Sequence, residues 1–161
     1  EELSEIIQKE KESGHKVALS HGCFDLVHIG HIKHFNAAKK MADVLIVTVT
    51  PDRFINKGPG RPVFNESLRL ETLANLGVID YVGLNDAPDA VSLIERIRPN
   101  FYVKGDEYKN FKDHPKGMRI KEKEAVERCG GEFVLTSEPT FSSTSIINRN
   151  FEYLTSEVAS L

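Results

Sequence analysis

The sequence predicts an α/β fold: a Rossmann-like, doubly wound and mostly parallel sheet of five strands. Short apolar strands alternate along the chain with helical patterns, and the connections between them are short, as in domains built from strand–helix–strand units. The run 44–49 (Val-Leu-Ile-Val-Thr-Val) is typical of a strand buried on both faces of a parallel sheet. The 161 residues fit one domain over 1–161, with a core at about 15–150.

The first element is a surface helix. Leu3, Ile6 and Ile7 recur at helical spacing among charged residues, and Gly14 stops the pattern. Five strands rich in β-branched and aromatic residues are expected further along the chain. They are placed at 16–20, 44–49, 79–84, 101–104 and 133–136.

The helix after the first strand is expected at 29–41, where Ile32, Phe35 and Ala38 or Lys39 fall on one side. The remaining connections contain several prolines and glycines, which separate helices from loops. Helices are expected at 66–76, 88–98, 118–129 and from 142 onward, and polar loops at 51–62 and 105–117.

The helix at 66–76 has the clearest signals at its ends. Asn65 is expected to cap its first turn, and Gly77 is expected to stop it. Leu68, Leu70 and Leu73 are expected to face the core.

Composition limits the class of protein. The chain is 40% hydrophobic and 28% charged, as globular domains are, and its 21 basic and 24 acidic residues give a net charge of −3. This balance favours neither nucleic acid nor a membrane as a partner, and no apolar run is long enough to span a bilayer. Cys23 and Cys129 do not make a disulfide framework, so the expected location is the cytoplasm.

In doubly wound folds, ligands bind beyond the carboxyl ends of the strands, at the switch point of the strand order. The loops to search are therefore 20–31, 50–62, 104–117 and 137–145.

A histidine motif stands at the expected start of the helix that follows the first strand. His28 and His31 are three residues apart, so both imidazoles can address one ligand. Gly30 has no side chain, which lets an anion approach the backbone N–H groups of the first turn. This arrangement indicates a cradle for a polyphosphate, in which imidazole donors strengthen their hydrogen bonds as charge develops.

The run Gly22-Cys23-Phe24-Asp25, followed by His28-Ile29-Gly30-His31, resembles the cytidylyltransferase-like nucleotidyltransferase superfamily. The resemblance covers about 15–150 and is greatest to the adenylyltransferase domain of bacterial heptose-phosphate enzymes. Glycerol-3-phosphate and phosphoethanolamine cytidylyltransferases share the first and last of its motifs. The supporting segments are 61–63 (Arg-Pro-Val), 103–109 (Val-Lys-Gly-Asp-Glu-Tyr-Lys) and 142–147 (Ser-Ser-Thr-Ser-Ile-Ile).

The chain departs from heptose-phosphate enzymes at two places. Asp106-Glu107 stands where they typically have Gly then Asp, and Ser20-His21 where they often have Thr-Asn. Both places are expected to lie near the acceptor or the nucleotide.

The resemblance implies roles for three groups of residues and implies no protein ligand for a metal. Catalytic roles are implied for His28, His31, Lys57 and Arg69. Nucleotide binding is implied for Gly22, Cys23, Phe24, Asp25, Gly30, Ser142, Ser143, Thr144 and Ser145. Acceptor binding is implied for Arg61, Lys104, Gly105 and Asp106. The thiol of Cys23 lacks the surroundings of a nucleophile and is expected to be packed.

The implied reaction transfers a nucleoside monophosphate from ATP or CTP to a sugar phosphate and releases pyrophosphate, as in ADP-heptose synthesis. The expected partners are a nucleoside triphosphate and a phosphorylated small-molecule acceptor, and the expected cofactor is Mg²⁺ carried by the phosphates. An apolar stripe on the expected helix 151–161 packs on its own domain or indicates a homodimer contact or a linker. Related enzymes imply a fused sugar-kinase domain outside this chain. The stripe consists of Phe151, Leu154, Val158 and Leu161.

Other interpretations of the same residues stay open. One is a cytidylyltransferase acting on glycerol-3-phosphate or another alcohol phosphate, and another is a nucleotide-binding module without catalysis. His28, His31 and His34 have the spacing of metal ligands, although His34 lies about 120° around an ideal helix from His28. They could also be ordinary surface histidines. Class I aminoacyl-tRNA synthetases share the four-residue motif, but they need a longer chain and a lysine-rich signature that is absent here.

Overall fold

The computed structural model describes residues 2–105 and 116–137, without the side chains of 116–119. In these residues the strands are β1 (Val17–Gly22), β2 (Val44–Val49), β3 (Tyr81–Leu84), β4 (Phe101–Lys104) and β5 (Glu132–Leu135). The helices are α1 (Glu2–Glu12), α2 (Ile29–Lys39), α3 (Glu66–Ala74), α4 (Val91–Ile97) and α5 (Lys116–Arg128), with a 3₁₀ turn at Asp52–Phe54.

The strands form one parallel sheet in the order β3-β2-β1-β4-β5. The chain moves outward from β1 through β2 to β3, then crosses back to the other side of β1 with β4 and β5. The switch point therefore lies between the central strand β1 and β4. The predicted Rossmann-like, doubly wound sheet of five strands is confirmed.

Successive side chains of each strand point to opposite faces, and each face packs against its own helices. On one face, α1, α4 and α5 contribute to a core that includes Ile7, Val17, Leu19, Ile46, Ile94 and Val126. On the other face, α2 and α3 cover a core that includes Ala18, Phe35, Leu45, Val47 and Leu73. This second layer brings α2, with the histidine motif at its start, directly over β1.

Most predicted boundaries lie within two or three residues of the observed ones, and the strands at 44–49 and 101–104 are as predicted. The predicted cap at Asn65 is confirmed, because its Oδ1 accepts a hydrogen bond from the Leu68 backbone N–H. Gly77 does not stop α3, which ends at Ala74 with Asn75 as its C-cap. The helix predicted from residue 142 onward lies outside the described residues.

Two further predictions were wrong. Leu68 is exposed, because Arg69 and Leu73 occupy the buried side of α3. Helix α4 starts at Val91 instead of Pro88, because the Asp89 carboxylate accepts the Val91 N–H ahead of the helix. No helix within the two described segments is long and apolar enough to cross a bilayer.

Gly131 lies where α5 turns into β5, and the backbone there leaves no room for a side chain. A Cβ atom at this position would lie 2.2 Å from the Pro99 carbonyl oxygen and 2.8 Å from Val126 Cγ2. We expect Gly131→Ala to lower the free energy of unfolding by about 1–3 kcal/mol, measured by urea denaturation. Gly77→Ala is the matched control: a Cβ there meets nothing within 4 Å, and the change should be neutral or slightly stabilising. Equal stabilities for the two variants would contradict the packing described for Gly131.

Candidate active site

One buried guanidinium joins the loops at the carboxyl edge of β1 and β2. Arg69 of α3 is 1% exposed, and its three nitrogens all donate to protein groups. Nη1 donates to the Cys23 carbonyl after β1, Nη2 to the Thr50 carbonyl after β2, and Nε to the Phe64 carbonyl. Nη2 also pairs with Asp52 at 2.6 Å. Arg69 therefore holds the loop after β1 and both ends of the connection between β2 and α3 in one arrangement.

A second buried ion pair ties the loop before α3 to the loop after β1. The Nε atom of Arg61 donates to Asp25 Oδ2 at 2.6 Å, and both side chains are almost fully buried. The other oxygen of Asp25 accepts hydrogen bonds from the Val63 and Phe64 backbone N–H groups. The Nη2 atom of Arg61 is buried and has no hydrogen-bond partner among the described residues. Asp25 thus positions this loop, while Arg61 keeps one donor unused.

The histidine motif forms a capping box at the start of α2. His28 is the N-cap residue, and its Nδ1 accepts a hydrogen bond from the Gly30 backbone N–H at 3.1 Å. His31 reaches back, and its Nδ1 accepts from the His28 backbone N–H at 3.3 Å. The two rings lie with centroids 3.9 Å apart, as their three-residue spacing predicts.

This capping box determines where the ring protons are. A nitrogen that accepts a backbone N–H carries no proton, so the hydrogen of a neutral ring lies on the other nitrogen. In both His28 and His31 that other nitrogen is Nε2. The backbone of the helix start thereby makes each ring a donor through Nε2.

Burial keeps His31 neutral at physiological pH. Burial, with smaller electrostatic contributions from His28, His34 and Lys57, lowers the pKa of His31 to about 3. Lys57 is exposed, and its ammonium acts on the pKa values of both His31 and Cys23. Lys57 is therefore an exposed cation close enough to both side chains to affect their pKa values. Burial raises the pKa of the Cys23 thiol, as expected for a packed residue.

Phe24 supports the histidines from below. Its ring packs edge-on against the His31 ring at a centroid distance of 5.4 Å, and also against Phe35. Its φ of 47° lies in the left-handed region, which turns the chain sharply after β1. A Cβ atom on Gly22 would lie 3.1 Å from this ring, so Gly22 gives Phe24 its space.

A buried lysine ends β4 at the switch point. Lys104 donates to the His21 carbonyl at 2.7 Å, which links β4 to β1. Its Nζ lies 3.6 Å from a Glu122 oxygen and 5.1 Å from the centre of the Tyr102 ring. Gly105 follows Lys104 at the carboxyl end of the strand.

Two further buried histidines lie at the edge of the site: His21, which was expected near the acceptor or the nucleotide, and His34, which was considered above as a metal ligand. Burial lowers the pKa of His21 to about 3 and that of His34 to about 4. His21 contacts the hydroxyls of Thr48 and Thr50. The sequence signal for them was only their place in the histidine cluster, because their partners come from distant strands.

The ring of His34 points away from the rings of His28 and His31, as the helical spacing predicts. Its ring is hydrogen-bonded to Ser20 and Thr136, which leaves it no nitrogen for a shared metal ion. Within 2–105 and 116–137, no group of three or more His, Cys, Asp or Glu side chains is placed to hold a metal. These observations argue against the three-histidine metal site.

Most predicted site residues gather at the carboxyl edge of β1, β2 and β4: Gly22, Cys23, Phe24, Asp25, His28, Gly30, His31, Lys57, Arg61, Arg69, Lys104 and Gly105. Arg53, in the same connection as Lys57, pairs with Asp86 and lies over the Phe54 ring. Asp106, Ser142, Ser143, Thr144 and Ser145 lie outside the described residues.

Comparisons with known proteins relate this chain to one family. The cytidylyltransferase-like family matches residues 19–149. The bifunctional protein HldE of Trichlorobacter lovleyi is 38% identical over 98% of this chain, which spans 31% of that protein. HldE of Vibrio cholerae is 39% identical over 90% of the chain and 30% of its own length. A solved structure, the lipopolysaccharide core biosynthesis protein of Thermoplasma volcanium, matches with a TM-score of 0.64 at 25% identity, over 79% of this chain and 100% of its own. The chain thus spans about a third of the HldE proteins.

The buried histidines should make the fold sensitive to acid. His21, His31 and His34 have pKa values of about 3, 3 and 4 in the folded protein, below the ordinary 6.5. The unfolded state therefore binds more protons between about pH 6.5 and 4, and stability present above pH 6.5 is lost as the pH falls. Each histidine contributes a slope of up to about 1.4 kcal/mol per pH unit.

Urea denaturation from pH 7.5 to 4.5 measures this dependence. Replacing His34 by Asn should remove about one proton from the slope. Replacing the exposed His15 by Gln should leave it nearly unchanged. A stability that is flat from pH 7.5 to 4.5 in the wild-type protein would refute the neutral, buried histidines.

Proposed function

Because the chain belongs to the cytidylyltransferase-like family of nucleotidyltransferases, we propose that it transfers a nucleoside monophosphate from a nucleoside triphosphate to a phosphorylated small molecule. The observation that carries the proposal is the start of α2. Two imidazoles with their protons on Nε2 lie side by side at a helix N-terminus, which itself favours anions.

The proposed reaction is an in-line displacement at the α-phosphorus. A phosphate oxygen of the acceptor forms a new P–O bond, and the bond to the β-phosphate breaks, so that pyrophosphate leaves with its electron pair. The acceptor phosphate is already ionised and needs no general base. Catalysis then consists of positioning and charge stabilisation.

His28 and His31 are the proposed catalytic residues. Their Nε2–H groups would donate to oxygens that gain charge in the transition state, and such donors act most strongly when they are held in advance. The capping box holds both rings, and Phe24 packs against His31. The hydrogen bonds of the capping box therefore fix the orientation of these two donors.

The cations around the histidines would have different tasks. Lys57 lies in the exposed loop and would draw charge onto the β- and γ-phosphates. The unused Nη2 of Arg61 would donate to the acceptor, while its Nε stays paired with Asp25. Lys104 would contact the acceptor from the end of β4. Arg69 would act through the loops that it holds, because its nitrogens are engaged with protein groups.

Mg²⁺ would arrive with the triphosphate. The Asp25 carboxylate, three residues before the histidine motif, is already engaged by Arg61 and by two backbone N–H groups. When bound, the ion would neutralise charge on the phosphate oxygens. The described residues would then face a nucleotide that brings its own cation.

The substrates proposed are ATP and a heptose phosphate, which would give an ADP-heptose-type product. Support comes from the HldE relatives and from a structural relative named for lipopolysaccharide core biosynthesis. The competing assignment is CTP with glycerol-3-phosphate or another alcohol phosphate. A matrix of four nucleoside triphosphates against sugar and alcohol phosphates, assayed by pyrophosphate release, decides between them. Nucleotide binding without any pyrophosphate release would instead favour a non-catalytic module.

Two proposals concern the protein beyond this domain. The relatives are named bifunctional and the chain spans 31% of one of them, so a sugar kinase outside this chain would supply the acceptor phosphate. A homodimer is the proposed assembly, which sedimentation of the protein would test.

Removing the Nε2–H donor of His31 should abolish most of the activity. We expect His31→Ala and His31→Asn each to lower kcat by about 10²- to 10³-fold, because neither side chain donates from the Nε2 position. Asn can still accept the His28 N–H through its Oδ1, so it should preserve stability better than Ala.

The control is His15→Ala, an exposed histidine outside the site, which should leave kcat unchanged. The measurement is pyrophosphate release with the substrates identified in the matrix. Wild-type rates in both His31 variants would eliminate the proposed role.

A further inference from the structure

The pairing between β1 and β4 is shorter than the two strands. Their register ends at Leu19 and Tyr102, although β1 continues to Gly22 and β4 to Lys104. In contrast, β1 stays in register with β2 along its whole length. The central strand and its neighbour therefore part at their carboxyl ends, which opens a crevice at the switch point.

Side chains bridge this crevice on both faces of the sheet. On the face covered by α1, α4 and α5, the Lys104 ammonium donates to the His21 carbonyl at 2.7 Å. On the opposite face, the bridge runs through His34 of α2. Its Nε2 lies 2.8 Å from Ser20 Oγ on β1, and its Nδ1 lies 2.8 Å from Thr136 Oγ1, just after β5.

The hydrogen bonds of the His34 bridge have one consistent direction. The Thr136 hydroxyl donates to the Lys104 carbonyl at 3.3 Å, so its oxygen accepts from His34 Nδ1–H. His34 Nε2 then accepts from the Ser20 hydroxyl. Both nitrogens of the neutral ring are used, and the chain of bonds connects β1, α2, β5 and β4.

This bridge is α2's hydrogen-bonded link to the far half of the sheet in the part of the chain that is described. Helix α2 packs on β1 and β2, whereas Thr136 belongs to the end of β5, 102 residues later. His34 is also six residues from His28, on the same rigid helix. A change in the bridge would therefore shift the proposed phosphate donors relative to the ends of β4 and β5.

We infer that His34 is a positioning residue that sets the width of the crevice between β1 and β4. The inference rests on the proposed function, because the crevice holds a nucleotide only if the chain is a nucleotidyltransferase. It adds a residue outside the histidine motif, and it assigns the width of the nucleotide site to one hydrogen bond, between His34 and Thr136.

Two amide substitutions separate the two halves of the bridge. The side-chain amide of Asn lies near the position of Nδ1, so His34→Asn can keep the bond to Thr136. The amide of Gln lies near the position of Nε2, so His34→Gln can keep only the bond to Ser20. Thr136→Val removes the hydroxyl with little change in shape. Ser20→Ala is the matched control, because it breaks the bond that does not cross the crevice.

We expect His34→Gln and Thr136→Val each to raise the KM for the nucleoside triphosphate about tenfold, and their combination to be no worse than either alone. His34→Asn and Ser20→Ala should stay within about threefold of the wild-type KM. A purely structural role would lower the active fraction, and hence the apparent kcat, without moving KM. Unchanged KM values in His34→Gln and Thr136→Val would overturn the inference.

Hydrogen exchange gives a readout that needs no activity. The Thr136 amide donates to the Lys104 carbonyl between β5 and β4, so its exchange should become faster when the adjacent Thr136 hydroxyl loses its bond to His34. Its exchange should be faster in His34→Gln than in the wild type or in His34→Asn. If the wild-type protein releases no pyrophosphate, the proposed function fails, and this exchange still tests the bridge. Equal exchange of the Thr136 amide in His34→Gln, His34→Asn and the wild-type protein would refute the bridge whatever the activity.

Discussion

The carboxyl edge of this sheet depends on the guanidinium of Arg69. The loop that follows β1 and the connection between β2 and α3 contain little regular structure apart from the 3₁₀ turn at Asp52–Phe54. Backbone carbonyls of both segments accept hydrogen bonds from Arg69, and Asp52 balances the charge of its guanidinium. A buried arginine with unsatisfied donors would be costly, so these carbonyls and the guanidinium require one another. Arg69 thus ties the loop after β1 to the connection between β2 and α3.

The same logic of mutual satisfaction governs the histidine motif. The first N–H groups of any helix lack partners within the helix, and here the two histidines accept two of the N–H groups at this end. In doing so they fix their own protonation and orientation. A structural need of the backbone therefore produces the chemical state that the proposed reaction uses. Only a substitution that keeps the acceptor of the backbone N–H, such as His31→Asn, would separate the fold from the chemistry at this point.

Local patterns in the sequence were enough to predict the doubly wound parallel sheet, the buried strand β2 and the start of α2. They also predicted that His34 points away from His28. Each depends on residue spacing within a few turns or on one apolar run. The start of α4 was mispredicted because carboxylates accept the N–H groups at its beginning. Asp89 accepts the Val91 N–H, and Glu122 of α5 accepts the Ala90 N–H. The roles of Arg69 and Asp25 depend on groups up to 46 residues away. Such partners become visible only when the topology brings the loops together.

The charge of a side chain in the candidate site depends on how deeply the side chain is buried. The buried histidines are neutral, while Lys57 lies at the exposed rim and Arg61 is balanced by Asp25. A buried cation at the centre would bind the triphosphate and the transition state almost equally, which lowers KM without raising kcat. A neutral N–H donor gains most where charge grows during the reaction. The net charge of −3 is therefore compatible with the proposed phosphate site, because the attraction would come from Lys57 at the rim and the discrimination would come from neutral donors that the helix start holds in place.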